Sequence, residues 1–201
     1  MKVNLDKNEV QRIHISLSPL IFDEFDVTDS NEIFKVVDYL NSLNKKNTKK
    51  NPEDYAGGAY TIKLVFKNGV ERTLFLNMFL REANRFTYEI PYRESAKFDS
   101  IVSDILKRNL SKKGNTSIVG TVQSVESEQS GANISCVLKT EDNVKYNIDL
   151  KNAKIMGTNG GGNIIVYKED KIKAFYLKDE QAEKDRIHPS MVFIEGSSRW
   201  V

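Results

Sequence analysis

The residue types that most often carry reaction chemistry are scarce in this chain: two histidines, His14 and His188, and one cysteine, Cys136. A thiol nucleophile needs a base within reach and an orienting third group, and a zinc centre needs three or four converging ligands. Neither histidine is flanked by a ligand-spaced cysteine, aspartate or second histidine, and no Gly-x-Ser-x-Gly elbow occurs. The acidic group Asp23, Glu24, Asp26 and Asp29 lacks the fixed glycine and terminal glutamate of a calcium loop. It reads instead as a helix-entry loop whose charge suits the helix dipole. The cluster Gly157, Gly160, Gly161 and Gly162 is followed by Asn163-Ile164-Ile165-Val166 and not by the lysine and hydroxyl residue of a phosphate-cradling loop, so it reads as a loop between strands. These features point to a protein that is not an enzyme and has no metal or cofactor. A pair of carboxylates, which leaves no linear signature, is the catalytic device that spacing does not exclude.

Two aromatic groups are candidates for binding. In "RFTYEIPYRESAKF", Tyr88 and Tyr92 bracket Pro91 and are followed by Arg93. One reading makes this a packed corner where a strand hands over to a helix, with a single tyrosine at the rim. The other makes it a shallow ligand-binding surface of Tyr88, Tyr92 and Arg93. In the second half, "KYN", "VYK" and "KAFY" place Tyr146, Tyr167, Lys173 and Phe175 in the mixture of rings and lysines that binds single-stranded nucleic acid.

The elements that must position these residues follow from periodicity. Val10, Ile13, Ile15 and Leu17 mark a strand ending near Pro19. Asp29, with Glu32 three residues on, predicts a capped helix with an apolar face of Ile33, Val36, Val37 and Leu40. Two strands meet at Asn68-Gly69, a pair suited to a tight hairpin turn. A third, "NRFTYEIPY", leads to a second helix with Phe98, Ile101, Val102 and Ile105 on its stripe. Residues 1–112 therefore read as an α+β domain with two helices on one face of an antiparallel sheet. Residues 113–117 read as a linker, and residues 118–201 as an all-β, OB-like small barrel. Its expected strands include "NIIVYKED", with room for a helical turn in "LKNAKIMG" before the glycine loop.

With 39% hydrophobic and 29% charged residues in 201, the composition is that of a folded globular chain. The net charge is only +2. Residues 1–113 hold 19 basic against 16 acidic residues, and residues 114–201 hold 11 against 12, so neither half carries the field that phosphate-backbone binding relies on. The lone Cys136 excludes an internal disulfide and sits in an alternating apolar run. No apolar run is long enough to span a bilayer, and "MKVNLDKNEV" contains no export signal.

The order "IHIS", "DSNEIFKVVDYL", "YTIKLVFKNG", "FTYEIPY" and "FDSIVSDIL" resembles an uncharacterised extracytoplasmic α+β domain of Firmicute lipoproteins and receptor-associated proteins, over roughly residues 10–110. Tyr88-Glu89-Ile90-Pro91-Tyr92 is similar to the aromatic, Glu, Pro-Tyr pattern of that family, whereas Arg93-Glu94-Ser95-Ala96 replaces its usual glycine and aromatic. More loosely, "IVGTVQSVES" to "IKAFYL" resembles the OB-type domains of similar Gram-positive envelope lipoproteins. The resemblance implies a cell-surface location, with an anchor or leader outside these residues, and no catalytic residues. The expected function is non-catalytic binding or sensing at the cell envelope, with the groove between the domains and the surface near Tyr88 and Tyr92 as the expected site. The alternatives are a cytoplasmic single-strand nucleic-acid-binding protein using the second domain, and a structural adaptor in a membrane assembly.

Overall fold

The computed structural model describes residues 4–18, 24–48, 50, 58–82, 86–129, 131–157, 165–178 and 185–195. The chain divides into two compact units, Met1–Ile105 and Leu106–Val201. The division falls inside the second helix, upstream of the segment 113–117 expected to be a linker.

In the first unit, strands β1 (Val10–Ser18), β2 (Phe25–Val27), β3 (Lys46–Asn47), β4 (Ala59–Phe66), β5 (Glu71–Leu76), β6 (Phe79–Glu82) and β7 (Phe86–Glu89) form one antiparallel sheet in the order β2-β1-β4-β5-β6-β7-β3. The β4–β5 hairpin turns where expected. Gly69 adopts φ +80, and the Asn68 side chain accepts the Val70 amide at 3.0 Å. Sequence reasoning missed that the run after the hairpin breaks in two. The Asn77 carboxamide takes the Phe79 amide at 2.8 Å and makes a turn between β5 and β6.

Helix α1 (Ser30–Ser42) is capped by Asp29, whose carboxylate accepts from the amides of Asn31 and Glu32. It buries Ile33, Val36, Val37 and Leu40. Helix α2 (Tyr92–Lys112) buries Phe98, Val102 and Ile105. Phe98 makes an edge contact with Tyr60 of β4 at 4.8 Å and stacks on Tyr39 of α1 at 5.2 Å, so both helices lie on the sheet face that Tyr60 shares with Ile62 and Leu64. Gly114, at φ +82, lets the chain leave α2, and Asn115 donates back to the Leu110 carbonyl at 3.1 Å.

The second unit corrects the expected barrel. Strands β8 (Thr116–Ser127), β9 (Asn133–Lys139), β10 (Lys145–Asp149), β11 (Lys154–Gly157), β12 (Lys171–Tyr176), β13 (Arg186–Ile187) and β14 (Met191–Glu195) form one open sheet in the order β11-β14-β12-β8-β9-β10-β13. Closure would need hydrogen bonds between β11 and β13. Instead these strands end the sheet, each held on one side only by a parallel partner, β14 and β10 respectively. Core residues from opposite parts of the sheet, among them Cys136, Ile148, Ile172, Ile187 and Val192, nevertheless share one cluster, which requires the open sheet to curl.

Two local readings also change. The residues expected to make a helical turn before the glycine loop form strand β11. In the expected strand 163–170, the described residues from 165 onward are a turn. The Val166 amide goes to the Asn133 side chain at 2.7 Å and the Tyr167 amide to the Asp170 carboxylate at 2.8 Å, while Glu169 adopts φ +72. Amides satisfied by side chains have no ladder to join.

Candidate functional site

The first sheet places Tyr88 in β7, opposite Leu80 of β6, and buries it to 6% exposure with the Phe86 ring 5.0 Å away. Ring area spent on packing in this way is withdrawn from any ligand. Pro91 is exposed, and its carbonyl receives the Glu94 and Ser95 amides, so it caps α2. Tyr92 opens that helix, its side chain outside the described residues, and Arg93 follows exposed.

Of the aromatic and basic residues expected to bind in the second unit, Lys173 and Phe175 meet, whereas Tyr146 lies on the other face of the sheet. Phe175 is fully buried and meets Phe193 edge-on at 5.7 Å, with the Lys173 ammonium 5.2 Å from its ring. A ring with no exposed face cannot stack on a base. Tyr146 is half-buried against the core cluster, on the opposite face of the sheet from Lys173 and Phe175. There it neighbours Tyr176, whose hydroxyl pKa is raised by burial and, secondarily, by Tyr146. Tyr167 is 49% exposed in the turn before β12.

The histidines are held by carboxylates. His14 meets Asp26 through Nδ1 at 3.0 Å and Glu24 through Nε2 at 3.2 Å on the outer face of the first sheet, and His188 lies 3.3 Å from Asp149. Among the described residues no group of three His, Cys, Asp or Glu side chains is placed to hold a metal ion. Cys136 is buried, and desolvation pushes its thiol pKa up to about 12, so it stays protonated and unreactive. Of the glycine cluster, Gly160, Gly161 and Gly162 lie outside the described residues, and Gly157 ends β11.

Among the described residues the most perturbed carboxylate is Asp99, which no spacing rule singled out. It is buried beneath the sheet of the first unit, where the Tyr60 hydroxyl donates to its Oδ1 at 2.5 Å. Desolvation pushes its pKa up to about 6, partly opposed by that hydrogen bond. Tyr60 and Tyr39 are both shifted upward, by burial first and by the Asp99 charge second. Tyr39 donates to the Glu94 carbonyl at 2.8 Å. The group joins α2 to the sheet within a closed core and serves packing.

A surface site emerges on the second sheet. A depression of about 340 Å³ lies over β8, β9 and β12, lined by Thr121, Gln123, Lys139, Thr140, Glu141 and Lys171 among others. Three structural features build it. Thr121 stands directly between Lys171 of β12 and Lys139 of β9 in the strand register. The pairing of β8 with β9 shifts register between Val122 and Ser124, which places Gln123 in a bulge at the edge of the depression. The turn after β9 is pinned by the Thr140 hydroxyl, which donates to Asp142 and lies 3.0 Å from the Val144 carbonyl, with Asn143 at φ +66. The arrangement can hold a ligand through ammonium, hydroxyl and amide groups.

No protein-family model, no curated protein and no solved structure matches the chain.

Proposed function

We propose that the protein is a non-catalytic binding module of the cell envelope that holds its ligand on the exposed face of the second sheet. The observation that carries the binding half of this reading is the depression over β8, β9 and β12, rimmed by Lys139 and Lys171 with Thr121 between them. Hydrogen-bonding side chains carried on paired strands, not on a loose loop, are held in register and lose little freedom when a ligand arrives. The extracytoplasmic half rests on the resemblance of residues 10–110. No helix among the described residues is long and apolar enough to cross a membrane, so envelope residence calls for an anchor or partner beyond them.

Binding is tested by titrating the purified chain against a panel of glycans, phosphorylated polyols, peptides and oligonucleotides, and repeating each hit with Thr121→Trp, which fills the depression. Saturable binding that this variant abolishes, while Cys136 stays inaccessible to thiol reagents, is the expected result. Hits indifferent to the substitution would overturn the assignment of the site. Location is tested by protease shaving of intact cells that produce the full-length native gene product. Digestion with retention in the membrane fraction is expected, and protection in the soluble fraction would overturn it.

A further inference from the structure

The depression continues into a row of like charges. Across four neighbouring strands the register sets Lys171, Thr121, Lys139 and Lys145 side by side on the outer face, opposite to the face that carries Val122, Leu138 and Tyr146. Lys171 and Lys145 are exposed, Lys139 and Thr121 partly so. Neighbouring strands stand about 4.8 Å apart, so the two lysines flanking Thr121 originate roughly 10 Å from each other, and their long stems bring both ammonium groups within reach of one anion over the hydroxyl.

The described carboxylates near this row make no ion pair with it. Glu195 stands opposite Lys171 in the register, but its carboxylate lies 3.5 Å from the Lys107 ammonium. Asp142 accepts from Thr140. Glu141 sits on the rim of the depression. Among the described residues none of Lys139, Lys145 and Lys171 makes an ion pair. Lysines placed directly opposite one another, as Lys139 and Lys145 are, weaken a sheet unless an anion lies between them.

From this row we infer that the site takes a phosphate-bearing, hydroxyl-rich ligand, a phosphorylated polyol in chemical class. This deepens the binding reading above and rests on it. A phosphate carries up to two negative charges and several acceptor oxygens, which suits point charges converging from two sides, whereas a lone carboxylate is better matched by the flat fork of an arginine. Thr121 donates to the same phosphate, Lys145 receives a second phosphate, and Glu141 and Gln123 accept from ligand hydroxyls at the rim. Nucleic acid fits less well because no exposed ring lies in the row, and Phe175 on the same face is fully buried.

The test uses the full chain with inositol hexakisphosphate as probe, followed by calorimetry and by amide chemical shifts. Shifts centred on Thr121, Lys139 and Lys171 are expected. Lys139→Gln combined with Lys171→Gln should weaken binding at least about tenfold, and Lys35→Gln combined with Lys67→Gln, a charge-matched control on exposed lysines of the first unit, should change it less than about twofold. Equal weakening by the control would reduce the effect to net charge and overturn the site. A base-free probe that fails to bind, while another panel ligand binds and is lost in Thr121→Trp, would leave the binding reading standing and overturn the phosphate class. Tighter binding of an oligothymidylate than of the probe would overturn it in favour of nucleic acid.

Discussion

Asp99 occupies a position that favours its neutral form. Its folded pKa of about 6 lies above the ordinary 3.8, so the folded chain holds the proton more tightly than the unfolded chain does. Its contribution to stability is therefore complete below the ordinary value and disappears as pH rises through about 6. At neutral pH the buried charge costs about 3 kcal/mol. Asp99→Asn keeps an acceptor for the Tyr60 hydroxyl and removes the charge. Urea unfolding followed from acid to neutral pH should show the variant more stable than the parent at neutral pH and flatter in profile. A variant that is less stable at neutral pH would mean that the charged hydrogen bond outweighs desolvation. Tyr88 separates packing from binding at the same scale. Buried at 6% with Phe86 against it, it should cost about 3 kcal/mol when replaced by alanine, read from the urea midpoint. A loss of well under about 1 kcal/mol would return the ring to the list of binding candidates.

At the scale of elements, β8 and β9 are pressed together at Gly120. A Cβ added there would stand 2.4 Å from the Lys139 carbonyl oxygen, so the backbone itself would have to move. Gly120→Ala should destabilise the second unit by about 1–3 kcal/mol and expose Cys136, three residues from Lys139 on β9, to thiol reagents. Unchanged labelling would show that the strands can part at little cost. Elements whose information is local were legible in the sequence. The Asp29 cap, the Asn68-Gly69 turn and the 2- and 3.6-residue periods each depend on residues within one turn of one another. The fold failed to be legible where pairing partners are distant. Lys154–Gly157 looked able to form a helical turn because its strand partner, Met191–Glu195, lies far downstream. The lysine row has the same character: Lys171, Thr121, Lys139 and Lys145 become neighbours through register alone, and no window of sequence contains them together. The buried Asp99–Tyr60 pair was hidden for a related reason, since an aspartate one step from Phe98 on a helical stripe looks like any solvated charge until the depth of its surroundings is known.

For the whole molecule, each unit carries its own core, and a lesion in one should stay there. Phe98→Ala removes the ring that holds Tyr39 and Tyr60 and should cost the first unit about 3–5 kcal/mol, measured from its urea midpoint. Labelling of Cys136 in the second unit should keep its parental rate under native conditions. Acceleration in proportion to the stability loss would show that the two units unfold as one. The open sheet of the second unit also has a kinetic side. The strand β14, last of the described strands in the chain, lies in the sheet between β11 and β12, both made before it. The neighbouring positions of β11 and β12 cannot be occupied by each other while that slot waits, so the second core stays open to water until Val192 and Ile194 arrive and insert. Pairings that span so much chain pay their loop entropy before any contact repays it, and they close slowly. Until β14 inserts, this half of the protein is an unclosed chain, and that interval is when chaperones or proteases can engage it.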